Sequence, residues 1–172
     1  LVEVEERAVW QEQRNRNMCV KVHGVQIDKD LEESEGHIPA TIDAVFSKVF
    51  GPILQRNPSI KAVPSPDEII EVAHKLYSEG KNDPKTNKVV PPVIHVRFRS
   101  KEIRDIIMRN RKGLKDSGVD RNEKKAGVQN YWVTEDLTKD IQKKLQECIA
   151  HKLVLKAWSI DGKLRLILKA EP

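Results

Sequence analysis

Residues Gln11–Val25, QEQRNRNMCVKVHGV, join a helical pattern to a strand pattern with almost nothing between them. The lead-in LVEVEERAVW is acidic and free of Gly and Pro, an Arg/Asn hinge follows, and a short strand pattern ends at Gly24. A helix that passes directly into the first strand restricts the chain to mixed α and β architectures. A second strand, PPVIHVRFRS at Pro91–Ser100, alternates Ile94, Val96 and Phe98 with His95, Arg97 and Arg99. Side chains two apart on a strand share a face. One face of this strand is therefore apolar, and the other carries three basic groups, an arrangement suited to phosphates.

Read in order, Met18–Val25 is a strand with Val20 and Val22 toward a core and Cys19, Lys21 and His23 on the other side. Gln26–Ala40 reads as a polar loop. Thr41–Leu54 carries an apolar stripe at helical spacing, with Thr41 in the position of an N-cap. After Pro58, Pro64 and Pro66, Asp67–Leu76 reads as a strand, with a helical turn over Glu68–His74 as the alternative. Ser78–Lys88 is a turn-rich loop, and Val93–Arg99 a strand. Lys101–Arg111 is a helix burying Ile103, Ile106 and Ile107 and exposing Arg104, Arg109 and Arg111. Gly113–Gly127 is a second polar loop, and Gln129–Thr134 a fourth strand.

The expected fold class is thus α+β. Residues 17–135 form a β-α-β-β-α-β split βαβ, the topology of RNA-recognition motifs, and a small α-β-β domain at 136–172 follows it. In that tail Leu137, Ile141, Leu145, Cys148 and Ile149 share a helix stripe, with Lys139 and Lys143 away from it. Asp161-Gly162 between Leu153–Ile160 and Lys163–Leu168 signals a tight hairpin. Residues 1–16 are the end of a helix and a hinge. Leu1, Val4, Ala8 and Gln11 allow either the close of a coiled coil or a solvated helix.

Composition narrows the function classes. Of 172 residues 33% are charged and 38% hydrophobic, which allows a modest core under much solvated surface. A formal charge of +5 is concentrated from Arg97 onward, while Glu3–Glu6 and Asp28–Glu35 are acidic; the basic part implies an anionic partner. Two distant cysteines, Cys19 and Cys148, fit neither a disulfide framework nor a zinc site. They read as thiols of an intracellular chain, cytoplasmic or nuclear. No apolar run approaches the roughly 20 residues of a membrane span. The five histidines lack ligand spacing, no Gly-rich phosphate loop follows a strand, and no serine is framed as a nucleophile. Neither a metal, a cofactor nor an enzyme is expected. The opening without Met, inside a helical pattern, reads as a piece of a longer protein.

The motifs QRNRNMCVKVHGV, VAHKL (Val72–Leu76), PPVIHVRFRSKEIRDIIMRNRK (Pro91–Lys112) and WVTEDLTKDIQKKL (Trp132–Leu145), in this order, resemble a known family. It comprises the RNA-binding first-open-reading-frame protein of LINE-type retrotransposons and the related few-polyhedra proteins of baculoviruses. The loops at 26–37 and 78–88 are longer than the family pattern. The resemblance implies trimerisation through an upstream coiled coil, with this piece alone a monomer. It also implies single-stranded RNA or DNA binding and nucleic-acid chaperone activity in a ribonucleoprotein.

With 5% aromatic residues, binding is expected to be led by phosphates, weakly sequence-selective and salt-dependent. The candidate contacts are Arg14 and Arg16 at the hinge and Lys21, His23, His95, Arg97 and Arg99 on the sheet face. Arg109 and Arg111 follow on the second helix, and Lys139 and Lys143 on the tail helix. Lys156, Lys163 and Arg165 would extend the footprint. Trp132 stacks a base if Tyr131 and Val133 face the core; the reverse orientation buries it. Trp158 is expected to pack on the tail helix. The alternative function is a non-enzymatic protein-interaction adaptor on the same scaffold.

Overall fold

In the computed structural model, which describes residues 2–76, 92–114 and 131–169, helix α1 (Val2–Arg16) leads within three residues into β1 (Cys19–His23). Next come α2 (Lys29–Glu35), α3 (His37–Val45), a π-helical turn (Phe46–Phe50) and α4 (Gly51–Gln55). A single helical turn, α5 (Pro66–Ile69), runs straight into β2 (Ile70–Lys75), and β3 (Ile94–Phe98) pairs with it. Then follow α6 (Lys101–Asn110) with a 3₁₀ turn (Arg111–Leu114), β4 (Trp132–Glu135), α7 (Lys139–Ala150), β5 (Val154–Ile160) and β6 (Lys163–Leu168). The expected loop Ser78–Lys88, most of Gly113–Gly127 and the start of the Gln129–Thr134 strand lie outside the described residues. None of the described helices is long and apolar enough to cross a membrane.

The fold is α+β. Four strands form one sheet in the order β2-β3-β1-β4, the order of a split βαβ, and β5 and β6 form a separate hairpin. The chain divides into two compact units. One is Cys19–Thr134; the other groups α1 with the tail, Leu1–Met18 with Glu135–Pro172.

In the sheet unit, alternation decides the faces. Val20, Val22, Ile94, Val96, Phe98 and Val133 are buried with Val45, Val49, Phe50, Leu54 and Ile107 from the helices. Fully burying one such side chain contributes about 1.5–3 kcal/mol, so this layer anchors the sheet. Phe50 and Phe98 meet with ring centroids 5.0 Å apart.

The structure departs from the sequence reading in several places. Gln26–Ala40 is not a loop: Asp28 accepts from the backbone N–H of Asp30 at 3.0 Å and caps α2, and α3 begins at His37. Thr41 is consequently not an N-cap. It is buried inside α3, where its hydroxyl donates to the His37 carbonyl at 2.7 Å. The Thr41–Leu54 stretch is broken by the π-turn before Pro52, because a proline has no N–H to continue the ladder.

Asp67–Leu76 is half helix and half strand. The backbone N–H of Ser65 donates to the Glu68 carboxylate at 2.7 Å, a capping arrangement that starts a helical turn. Arg104, expected in solvent, is buried at 3% exposure and donates to Asp105 at 2.9 Å. It lies one turn before Ile107, so the buried arc of α6 is wider than its isoleucine stripe.

The second unit is held by polar groups. Gln13 of α1 is buried, its amide donating to the Asp136 carbonyl at 3.1 Å and its oxygen accepting from the Thr138 N–H at 2.9 Å. Arg16 donates to the buried Asp136 carboxylate at 3.1 Å and to Glu12 at 2.7 Å. The β5–β6 turn has positive φ at both Asp161 (50°) and Gly162 (73°), and the Glu135 carboxylate accepts from the Asp161 N–H at 2.6 Å. On α7 only Ile141 is buried. Ile149, the last residue of the expected stripe, is exposed, because the short hairpin covers only part of the helix.

Candidate nucleic-acid interface

The face of the sheet opposite the helices is built by register. Lys21 lies across from His95, and His95 across from His74 on the far strand, so one row crosses three strands. The next row places Arg97 between Cys19 and Val72. A bulge at Glu71 shifts the parity of β2, which turns Val72 and His74 to the open face and Ala73 to the core. On β4, Trp132 and Thr134 alternate with the buried Val133.

Rings dominate this face more than the composition promises. His23 and Trp132 are stacked, with centroids 4.9 Å apart and planes 3° from parallel. A hydrogen bond of 3.1 Å between His23 Nε2 and Thr134 Oγ1 fixes the imidazole there. Trp132 keeps 46% of its surface exposed, so one face of the pair stays available to a third ring. His74 and His95 form a second pair, tilted by 42° at 5.0 Å.

Burial holds the His23 pKa below its ordinary value, and the Lys21 charge adds to that. His74 is lowered for the same first reason, with His95 and His37 contributing. Both therefore favour the neutral imidazole when no anion is near.

The sequence-derived candidates separate into groups. Lys21, His23, His95, Arg97 and Trp132 share the open face, while Arg99 follows β3 and donates to the Asp67 carbonyl at 2.8 Å. Arg97 is engaged by Glu71 at 2.9 Å, both side chains being about half exposed. Arg109 and Arg111 stand on the helix side. Arg109 lines a shallow concavity of about 240 Å³ with Ile53, Arg56, Asn110 and Lys112, and Arg111 donates to the Met108 sulfur at 3.5 Å. The structure does not bring these two to the sheet face, because α6 packs its isoleucines against the opposite side.

In the other unit Arg14, Lys139 and Lys143 are exposed, whereas Arg16 is committed to Asp136 and Glu12. Two residues on the open face escaped sequence reasoning, His74 and Glu71. The bulge that places them leaves no mark in the hydrophobic pattern.

Neither protein-family models nor curated proteins show a match to this chain. The geometry of the face therefore carries the functional argument.

Proposed function

We propose that this chain is a non-catalytic, single-stranded nucleic-acid-binding and chaperone module of a retrotransposon-type ribonucleoprotein, with the open sheet face as its contact surface. The observation that carries the reading is the exposed, His-backed indole of Trp132. Base stacking on an aromatic is sequence-tolerant and contributes about 1–3 kcal/mol per base. Across the sheet from it, on one side of the edge strand β4, Lys21 on β1 and Arg97 on β3 supply cations, so phosphates running from the stacked base toward β3 meet positive charge. Weak selectivity and steep salt dependence follow, because each neutralised phosphate releases counterions. RNA is the partner favoured, with DNA of equal length as competitor.

Oligomerisation belongs to the same proposal. Ala8 and Gln11 of α1 are exposed while Gln13 faces its own unit, so these two seam positions are accessible to a neighbouring helix of a trimer. A protein-interaction adaptor is the second reading. It is favoured by α2, an acidic helix with no fully buried residue.

The test is anisotropy of a labelled single-stranded RNA of about 25 nucleotides, long enough to exceed one small domain's site, at several salt concentrations. Saturable binding that weakens steeply with salt supports the proposal. Absence of binding at low salt, also when the upstream helix is restored, turns the reading to the adaptor.

A further inference from the structure

The β5–β6 hairpin carries a surface that nucleic-acid binding does not use. It is a two-stranded sheet on which α7 packs, mainly over β5 and less over β6, and no further strand pairs with β6 among the described residues. Along β6 the residues alternate. Lys163, Arg165 and Ile167 lie across from Ile160, Trp158 and Lys156 on one face, and Leu164, Leu166 and Leu168 lie on the other. Leu166, Ile167 and Leu168 are 46%, 45% and 60% exposed.

Single exposed aliphatics are ordinary, and lysine on an edge strand guards against stray pairing. Three consecutive exposed aliphatics on such an edge are unguarded. Between Leu153 and Lys169 the hairpin has four Lys or Arg residues against one carboxylate, Asp161.

Three kinds of occupant meet this edge differently. A nucleic acid would take the cations and leave the leucine row in water. A lipid surface would take cations and leucines but leave the N–H and C=O groups of the edge without partners. An extended peptide satisfies all three demands: ladder hydrogen bonds to the edge, apolar side chains beside Leu164, Leu166 and Leu168, and carboxylates beside Lys163 and Arg165. From this we infer that β6 is a docking edge for a protein segment in which acidic and apolar residues alternate, added as a third strand. The inference does not depend on the sheet face binding nucleic acid.

The test uses the full chain and a labelled peptide of about eight residues alternating glutamate and valine, a length matched to common strands. A peptide of the same composition with its glutamates and valines in separate blocks is the control. Saturable anisotropy for the alternating peptide is expected, with the blocked one at least about tenfold weaker. Leu166→Asp and, separately, Arg165→Glu should each weaken binding about tenfold, and Trp132→Ala should leave it unchanged. Arg165→Glu keeps the test decisive should Leu166→Asp fail to fold, as judged by circular dichroism. Equal binding of both peptides, or insensitivity to both hairpin variants, overturns the inference. So does an absence of peptide binding, whether or not the hairpin instead carries the chain onto phosphatidylserine vesicles or RNA.

Discussion

The imidazole of His23 lies flat against the indole of Trp132, 4.9 Å between centroids and 3° between planes, on the open face of the four-stranded sheet. The pair forms a rigid platform: β1 supplies one ring, β4 the other, and Thr134 holds the imidazole in place. Because the indole is about half exposed, its loss should spare the fold. Trp132→Ala is expected to weaken single-stranded RNA binding about tenfold, within the range for one stacked base, with an unchanged circular dichroism spectrum. Unaltered affinity would remove the platform from the binding site.

A pH dependence follows from the same face. His23 and His74 have folded-state pKa values below the ordinary 6.5, chiefly through burial. A lowered histidine pKa means the unfolded chain binds the proton more readily. Their contribution to stability is therefore intact above about 6.5 and is lost as pH falls below it toward the folded values. Nucleic acid acts in the opposite sense, since a phosphate beside an imidazole favours the protonated form. RNA affinity should rise between pH 7.5 and pH 5.5, a window chosen to bracket about 6.5, while the unliganded protein loses thermal stability. His23→Gln with His74→Gln should flatten both trends. A pH-independent affinity in the parent protein would count against imidazoles in the interface.

Arg97 is shared between its proposed ligand and Glu71, 2.9 Å away. Exposed pairs of this kind are worth only about 0–1 kcal/mol, so a phosphate can compete for the guanidinium. Glu71→Gln should increase RNA affinity about two- to fivefold, since it removes a like-charge opponent of the phosphate. Arg97→Ala combined with Arg99→Ala should lower affinity and reduce the slope of log affinity against log salt by about one to two. Normal RNA binding by that double variant would place the site elsewhere.

Arg16 separates stability from binding. It was a candidate contact on sequence grounds, but its guanidinium is held by the buried Asp136 and by Glu12. Arg16→Ala leaves the Asp136 carboxylate without this partner. Breaking a fully buried pair costs about 3–5 kcal/mol, and the partial exposure of Arg16 reduces the expected loss to about 1–3 kcal/mol. Thermal or urea unfolding measures this. Arg14→Ala, at an exposed position, should leave stability unchanged in the same unfolding measurement.

Much of the sheet was legible because a half-buried strand writes its two faces into alternate residues. Val20 and Val22 against Lys21 and His23, or Ile94, Val96 and Phe98 against His95 and Arg97, need no tertiary information to sort. The Asp161-Gly162 turn was legible for a local reason as well, since a two-residue hairpin demands positive φ. Helical starts after position 26 were harder to read. Asp28 and Ser65 are capping residues whose signals were outweighed by polarity in one case and by a run of apolar residues in the other.

The sequence by itself determined the alternation of strands and helices, the sides of β1 and β3 that face the core, and the placement of basic residues on the other side. These depend on the repeat of the backbone, which a short window contains. Tertiary structure decided which of those residues are engaged. Glu71 reaches Arg97 through a bulge, Asp136 takes Arg16 across 120 positions of sequence, and His23 finds Trp132 on a neighbouring strand. Ion pairing and stacking act over a few ångströms between side chains distant in the chain, so strand register had to be in place before either could be read.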